Sequence, residues 1–169
     1  MPGYPTDDGS QLWSAVPAGT AICARFVPPI GITNATKAVV NQTGISASTT
    51  GFAIYPDSDG AAPLVKWQPT GCVFCSGVHP ETGLPAFTLT AGTVYRLCAC
   101  NVGDFGTGGS YEATNWTTSS GFAGQENAFV VSVGKATTAC TGSPFVPPTT
   151  GAIIQDNALK PPVALLSVE

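Results

Sequence analysis

Short runs of alternating apolar and polar residues, separated by turn sequences, occur along most of this 169-residue chain. In Thr20–Val27, successive side chains alternate between two faces, and Pro28-Pro29 ends the run. A period of two residues is typical of β-strands. Similar β-type segments are predicted at Ala38–Val40, Gly51–Tyr55, Leu64–Trp67, Ala86–Thr90 and Thr93–Val102, and near residues 111–117, 128–133, 152–154 and 163–168. No segment keeps the 3.6-residue period and the caps of a helix.

The longest β-type run, Thr93–Val102, is apolar on both faces, which is typical of a strand in the middle of a sheet. Twenty Gly and fifteen Pro residues, about a fifth of the chain, break helices and supply turns. The sequence therefore predicts an all-β protein, an antiparallel β-sandwich with extended N- and C-terminal arms. Its expected organisation is an extended arm at 1–19, a sandwich at 20–140, and a C-terminal extension at 141–169 that closes the sandwich or docks on a neighbour.

Charged residues make up only 9% of the chain, where an ordinary soluble domain has about 25%. The net charge is −4 and no basic stripe is present, so nucleic acid is not an expected partner. The remaining polar surface must come largely from Thr, Ser, Asn and Gly. Such a surface suits a protein that packs against copies of itself or onto a larger body, and we expect a homo-oligomer.

The first residues, MPGYPTDD, lack the basic start and apolar run of a signal peptide. No stretch approaches the roughly 18–20 uninterrupted apolar residues of a membrane helix. We therefore expect a chain made in the cytoplasm without an export signal and with no membrane partner. Six cysteines in such a chain argue against a secreted disulfide scaffold, although oxidation after release from the cell remains open.

The cysteines carry the clearest candidate chemistry. Two pairs, Cys72/Cys75 and Cys98/Cys100, could hold a zinc ion tetrahedrally. Within one extended strand, however, Cys98 and Cys100 point to the same face and are not expected to bond each other. The favoured interpretation is therefore structural, with buried thiols or disulfides at Cys23, Cys72, Cys75, Cys98, Cys100 and Cys140 and no metal or cofactor.

No catalytic constellation is evident. Asp57-Ser-Asp-Gly60 resembles the start of a calcium loop, but no bidentate Glu follows at the required distance, so a hairpin turn is expected. His79 has no partner that would define a triad and is interpreted as a solvated loop residue. Three carboxylates, Asp104, Glu112 and Glu126, share no frame for acid–base chemistry. The sequence predicts no enzyme.

Three aromatic residues, Trp67, Tyr111 and Trp116, could form a surface on which sugar rings stack. Aromatic residues are equally common in cores and in subunit contacts. Glycan binding is therefore the alternative to packing for these side chains.

Four short motifs follow one another in a definite order along the chain. Gly51–Gly60 (GFAIYPDSDG) is a strand that ends in a hairpin turn. Leu89–Ala99 (LTAGTVYRLCA) is a turn that leads into a long strand. Two proline-containing segments, Pro147–Ile153 and Pro161–Leu165, follow near the C-terminal end. Over roughly residues 20–168 the chain resembles the β-sandwich domains of tailed-bacteriophage virion proteins. The cysteine-rich middle and the long segment before Thr20 depart from that pattern.

This resemblance implies a jelly-roll-like sandwich of the kind found on phage capsids, tails and fibres. It implies a virion structural protein, either a capsid decoration (cement) protein or a tail-appendage component. Such a protein lies on the virion surface, forms a homotrimer by analogy, and binds other virion proteins such as the major capsid or tail protein. The alternative is a carbohydrate-binding module of a tail fibre that recognises a host surface glycan through the three aromatic residues.

Overall fold

The computed structural model describes residues 12–16, 19–28, 30–43, 50–68, 77–101, 109–113, 129–140, 151–156 and 165–167. Every regular element in these ranges is a β-strand. The strands are β1 (Leu12–Val16), β2 (Thr20–Val27), β3 (Ile32–Ala35), β4 (Lys37–Thr43), β5 (Thr50–Pro56), β6 (Val65–Trp67), β7 (Gly77–Glu81), β8 (Phe87–Leu89), β9 (Tyr95–Asn101), β10 (Gly109–Ala113), β11 (Phe129–Ala136), β12 (Ile153–Gln155) and β13 (Leu165–Ser167). The prediction of an all-β protein is confirmed.

The largest sheet has six antiparallel strands in the order β12-β11-β2-β9-β5-β6. Strand β9 lies between β2 and β5, and Tyr95–Cys100 is buried throughout. The predicted central strand is therefore central, because only a strand covered on both faces needs apolar residues at consecutive positions. Ala91-Gly92 makes the turn that enters β9, and Gly92 has a φ of +75°, which glycine adopts without strain.

The remaining strands form two smaller antiparallel groups. Strands β1, β10, β4 and β13 pair in that order, and β7 also pairs with β4. Strands β3 and β8 pair with each other, with an irregular register between Ile32 and Ala35. Asn34, inside this irregularity, has a φ of +55°. Asn is among the few residues that tolerate this conformation.

One face of the six-stranded sheet, here called the aromatic face, forms the larger apolar core. It packs side chains of β2, β5, β6 and β9 against β8 and against Ala35 and Ala38 of β3 and β4. Its large members are Ile22, Phe26, Phe52, Ile54, Val65, Trp67, Phe87, Leu89, Tyr95 and Leu97. Burial of these side chains is the main apolar contribution to the stability of the described structure.

Two N-terminal and central segments differ from the sequence-based expectation, and the C-terminal strands follow one of its two alternatives. Leu12–Val16, assigned above to an extended arm, is a strand that pairs with β10 over five residues. His79, interpreted above as a loop residue, lies in β7 opposite Val40 of β4. Within the C-terminal extension, β12 pairs with β11 and β13 pairs with β4, so these two strands extend sheets of their own chain.

Candidate functional site

The opposite face of the six-stranded sheet gathers most of the polar and sulfur chemistry of the described residues, and we call it the crosslinked face. Residues of β2, β5 and β9 that alternate with the aromatic-face residues must point to this side. Because β2, β9 and β5 pair in register, these residues form rows across the sheet. The face comprises Ala21, Cys23, Arg25, Ala53, Tyr55, Arg96, Cys98 and Cys100, with Cys140 packed against it.

Two disulfides lie on this face. Cys23 bonds Cys98, directly opposite it in the β2–β9 ladder, with the two Cα atoms 4.0 Å apart. Cys100 bonds Cys140, with a Cα–Cα distance of 6.1 Å. As expected of alternate residues in one strand, Cys98 and Cys100 share a face, and each bonds a different segment. The two bridges thus link β9 to β2 on one side and to the segment after β11 on the other.

These disulfides overturn the four-cysteine zinc alternative in its original form. The sulfurs of Cys98 and Cys100 are used in disulfides and are not the thiolates that zinc requires. Cys72 and Cys75 lie outside the described residues. Among the residues that the structure describes, no group of three or more His, Cys, Asp or Glu side chains is arranged to hold a metal ion.

Next to the disulfides, two arginines share the carboxylate of Asp57, and one of them also binds Asp59. Arg25 and Arg96 lie opposite each other in the β2–β9 ladder, where two like charges would repel. The carboxylate of Asp57 accepts hydrogen bonds from Nε and Nη2 of Arg25 and, at 2.7 Å, from Nε of Arg96. Asp59 accepts a further bond from Nη2 of Arg96 at 2.9 Å. The turn after β5 therefore supplies the charge that lets two arginines lie side by side.

The ionisation of these groups follows from their contacts. The hydrogen bond from Arg25 is the largest influence on Asp57 and lowers its pKa, while burial opposes it and the Arg96 contacts reinforce it. The same hydrogen bond raises the pKa of Arg25. Burial raises the pKa of Tyr55, the third member of the row that contains both arginines. Asp57 is thus held as a carboxylate and Tyr55 as a neutral phenol.

Residues 137–140 and 151–152 lie against this face, next to β12, the edge strand whose Ile153 also packs on it. Nη1 of Arg96 donates to the carbonyl of Gly151 at 3.1 Å, and the amide of Thr137 donates to the carbonyl of Ala152 at 2.9 Å. A Cβ at Gly151 would overlap the Thr137 hydroxyl. A Cβ at Gly134 would likewise overlap the Ile154 carbonyl. Glycine at both positions is what allows these segments to approach so closely.

The proposed sugar-stacking surface loses one of its three residues. Trp67 is only 3% exposed, and its ring stacks on Phe52 with the centroids 5.7 Å apart. Its indole N–H is buried and has no hydrogen-bond partner among the described residues. Trp67 is therefore a core residue of the aromatic face and does not offer a free ring face to a ligand. Tyr111 lies on β10, and Trp116 lies outside the described residues.

The Asp57–Gly60 segment forms the expected turn between β5 and β6. The amide of Ser58 donates to the Pro56 carbonyl at 2.9 Å, and Gly60 has a φ of +79°. Both carboxylates of the turn bind arginine side chains, so the calcium-loop alternative has no support here. Asp104 and Glu126 lie outside the described residues, and Glu112 lies on β10.

Sequence reasoning missed Arg25 and Arg96, although a signal was present. Arginine is rarely buried without a partner, and both residues interrupt strands that are otherwise apolar. With only ten acidic residues in the chain, the Asp-Ser-Asp turn was the natural source of counter-charges. The described chemistry of the crosslinked face is structural, because its cysteines form disulfides and its two arginines form ion pairs with Asp57 and Asp59.

The described part of the chain contains no helix with the length and hydrophobicity needed to cross a bilayer. No protein-family model matches this sequence, and neither a curated protein nor a solved structure matches it.

Proposed function

We propose that this chain is a non-enzymatic structural protein of a bacteriophage virion, a capsid decoration protein or a tail-appendage component that self-assembles on the particle. In this proposal its antiparallel sheets form a jelly-roll-like sandwich, which serves as a rigid body. It is made in the host and acts on the virion surface, as a homotrimer bound to the major capsid or tail protein.

The scarcity of charge is the observation that carries the proposal. The chain has sixteen charged residues, and four of them, Arg25, Arg96, Asp57 and Asp59, bind one another on the crosslinked face. At most twelve charges are left for the rest of a 169-residue protein. A surface this neutral favours burial against neighbours, because charged surface groups are what keep a solitary protein dispersed.

Two further features support a role on a particle. The motifs in Gly51–Gly60 and Leu89–Ala99, which resemble those of phage virion domains, lie in the hairpin and in the turn and central strand of the six-stranded sheet. Two disulfides suit a protein that persists outside a reducing cytoplasm. Repetition of a weak contact over a lattice adds avidity, so each copy needs only a modest interface.

The decisive experiment examines the particle whose genome encodes this chain. Mass spectrometry of purified virions should find the chain at many copies per particle, and cryo-electron microscopy should place it on the capsid or tail. Absence of the chain from purified virions would overturn the proposal.

Self-association of the isolated chain gives a second test. Sedimentation of the purified chain should give three times the monomer mass. Ile30 is 65% exposed, so Ile30→Asp adds a charge to an exposed apolar position, and Ala62→Asp adds the same charge to a second exposed position. We expect Ile30→Asp to weaken association more than Ala62→Asp. A chain that is monomeric at all concentrations would count against the trimer.

Burial of Trp67 removes part of the aromatic platform on which the carbohydrate-binding alternative depends. A glycan array with the intact chain remains its direct test, and specific binding abolished by Trp116→Ala in a folded protein would revive it.

A further inference from the structure

The two disulfides differ in what they hold together. Cys23–Cys98 joins β2 to β9, which are already paired in register over seven residues. Cys100–Cys140 joins β9 to the end of a segment outside that ladder. Backbone contacts of this segment include one from the Cys140 amide to the Gly19 carbonyl at 3.2 Å. The second disulfide therefore attaches residues 137–140 covalently to β9. We call residues 137–140 and 151–156 the covering segments.

The covering segments contribute nothing to the aromatic face. All fourteen buried residues of that core come from outside residues 137–156. The covering segments instead add Cys140 and Ile153 to the crosslinked face, whose other members are mostly small. Detaching residues 137–140 and 151–156 therefore leaves the larger core intact.

We propose that the Cys100–Cys140 disulfide is a reducible clasp. When it is reduced, residues 137–140 and the neighbouring residues 151–152 open away from the crosslinked face, while β12 stays paired with β11 and the strands that form the aromatic face stay folded. The clasp thus sets whether this face of the sheet is covered by its own chain. Cys23–Cys98, which spans a ladder that persists without it, has no such effect.

Reduction proceeds by thiol–disulfide exchange with a small thiol such as glutathione. Its thiolate attacks Sγ of Cys140, which is 5% exposed, whereas Cys100 is fully buried. A mixed disulfide forms on Cys140, and the Cys100 thiolate leaves and takes up a proton. A second glutathione thiolate then releases Cys140 and forms glutathione disulfide, so two glutathione molecules supply the two electrons.

The timing of the clasp rests on the proposed function. A virion protein is made in a reducing cytoplasm, where this bond is open, and meets an oxidising environment after release. Closure would then follow assembly. The mechanics of the clasp do not depend on that role, so the experiment below uses the isolated full-length chain and can fail independently of the virion proposal.

Hydrogen exchange monitored by mass spectrometry tests the clasp in the full chain. We compare the oxidised protein with Cys100→Ala/Cys140→Ala and with the matched pair Cys23→Ala/Cys98→Ala. In the first variant, the amides of residues 137 and 140 should exchange at least about tenfold faster than in the matched pair. Those of Ile22–Phe26 and Phe52–Ile54 should exchange within about twofold of the matched pair, because each variant loses one long-loop disulfide. In the second variant, the covering segments should exchange as in the oxidised parent.

A second measurement avoids dependence on variants that fail to fold. The oxidised parent is treated with reduced glutathione under native conditions, alkylated with iodoacetamide and mapped by peptide. Cys100 and Cys140 should be modified before Cys23 and Cys98. The proposal is overturned if all four are modified together, if Cys23 and Cys98 are modified first, or if faster exchange is spread evenly over all strands or absent.

Discussion

The aromatic face and the crosslinked face belong to the same three strands but are stabilised in different ways. On the aromatic face, β2, β5 and β9 present large side chains such as Phe26, Phe52 and Leu97. On the crosslinked face they present mostly Ala and Cys, together with the two arginines. Apolar burial contributes about 25 cal/mol per Å². Small side chains bury little area each, so disulfides and ion pairs supply much of the cohesion on that side.

This contrast means that the two faces respond to different conditions. Dispersion and apolar burial do not depend on pH or on redox state. Disulfides depend on the redox state, and carboxylate–arginine contacts depend on pH. Solution conditions should therefore weaken one face of the sheet selectively, and side-chain truncation should act most strongly on the other.

The largest effect is expected from Phe52→Ala on the aromatic face. Phe52 is fully buried and stacks on Trp67, so truncation should lower the free energy of unfolding by about 4 kcal/mol. Urea denaturation followed by tryptophan fluorescence measures the loss. Ile30→Ala is the matched truncation at an exposed position and should change stability by less than about 0.5 kcal/mol. Equal losses from the two variants would contradict the assignment of Phe52 to the core.

A slightly smaller loss is expected when the bridge within the ladder is removed. Cys23 and Cys98 are 75 residues apart in sequence, and a disulfide that closes a long loop in the unfolded chain typically stabilises the folded state by about 2–4 kcal/mol. Cys23→Ala/Cys98→Ala should lose this amount in urea denaturation under oxidising conditions. In excess dithiothreitol, parent and variant should converge. A difference that survives full reduction would show that lost packing, not lost cross-linking, is responsible.

Asp57→Asn should cost about 2 kcal/mol, because it leaves the nearly buried Arg96 guanidinium without its central carboxylate. Asp156→Asn is the control. Its ion pair with Lys135 is long, at 3.9 Å, and both side chains are more than a third exposed, so the loss should be below about 0.5 kcal/mol. Thermal denaturation at neutral pH compares the two. Similar losses would mean that the network on the crosslinked face contributes no more than a surface pair.

The smallest effect is the acid dependence of the same group. The pKa of Asp57 is lower in the folded chain than in the unfolded chain, so its contribution is present above the unfolded value of about 3.9 and is lost as pH falls through the folded value. The stability difference between the parent and Asp57→Asn should therefore shrink below about pH 4. Urea midpoints from pH 7 to pH 2 measure it. A difference that stays constant over this range would contradict the assigned pKa shift.

The two-residue alternation of apolar and polar side chains predicted the strands in which that alternation is regular. The bounds predicted for Thr20–Val27 are those of β2, because both faces of this strand are buried and a proline follows it. The missed strands have weaker local signals. Gly77–Glu81 contains Pro80, which argues against a central strand, yet β7 is tolerated because its described pairing is with β4 alone. Its partner residues on β4 are 35 to 43 positions away in sequence, beyond the reach of a local pattern.

The chemistry of the crosslinked face was only partly predictable. Alternation predicted that Cys98 and Cys100 share a face, but six cysteines allow fifteen complete pairings. Cys23 faces Cys98 only because of the register between β2 and β9. Trp67 could equally be core or surface by its sequence, and the pairing of β6 with Phe52 and its neighbours decided the question.

The two outer strands of the six-stranded sheet limit how the protein can aggregate. In the described chain the sheet ends at β12 and β6, and each is only three residues long. Such short edge strands have few free backbone amides and carbonyls of their own that an incoming strand could pair with. Short edge strands are one way in which β-proteins avoid fibril growth. A sheet bounded in this way can be crowded at high local concentration with little tendency to polymerise edge to edge.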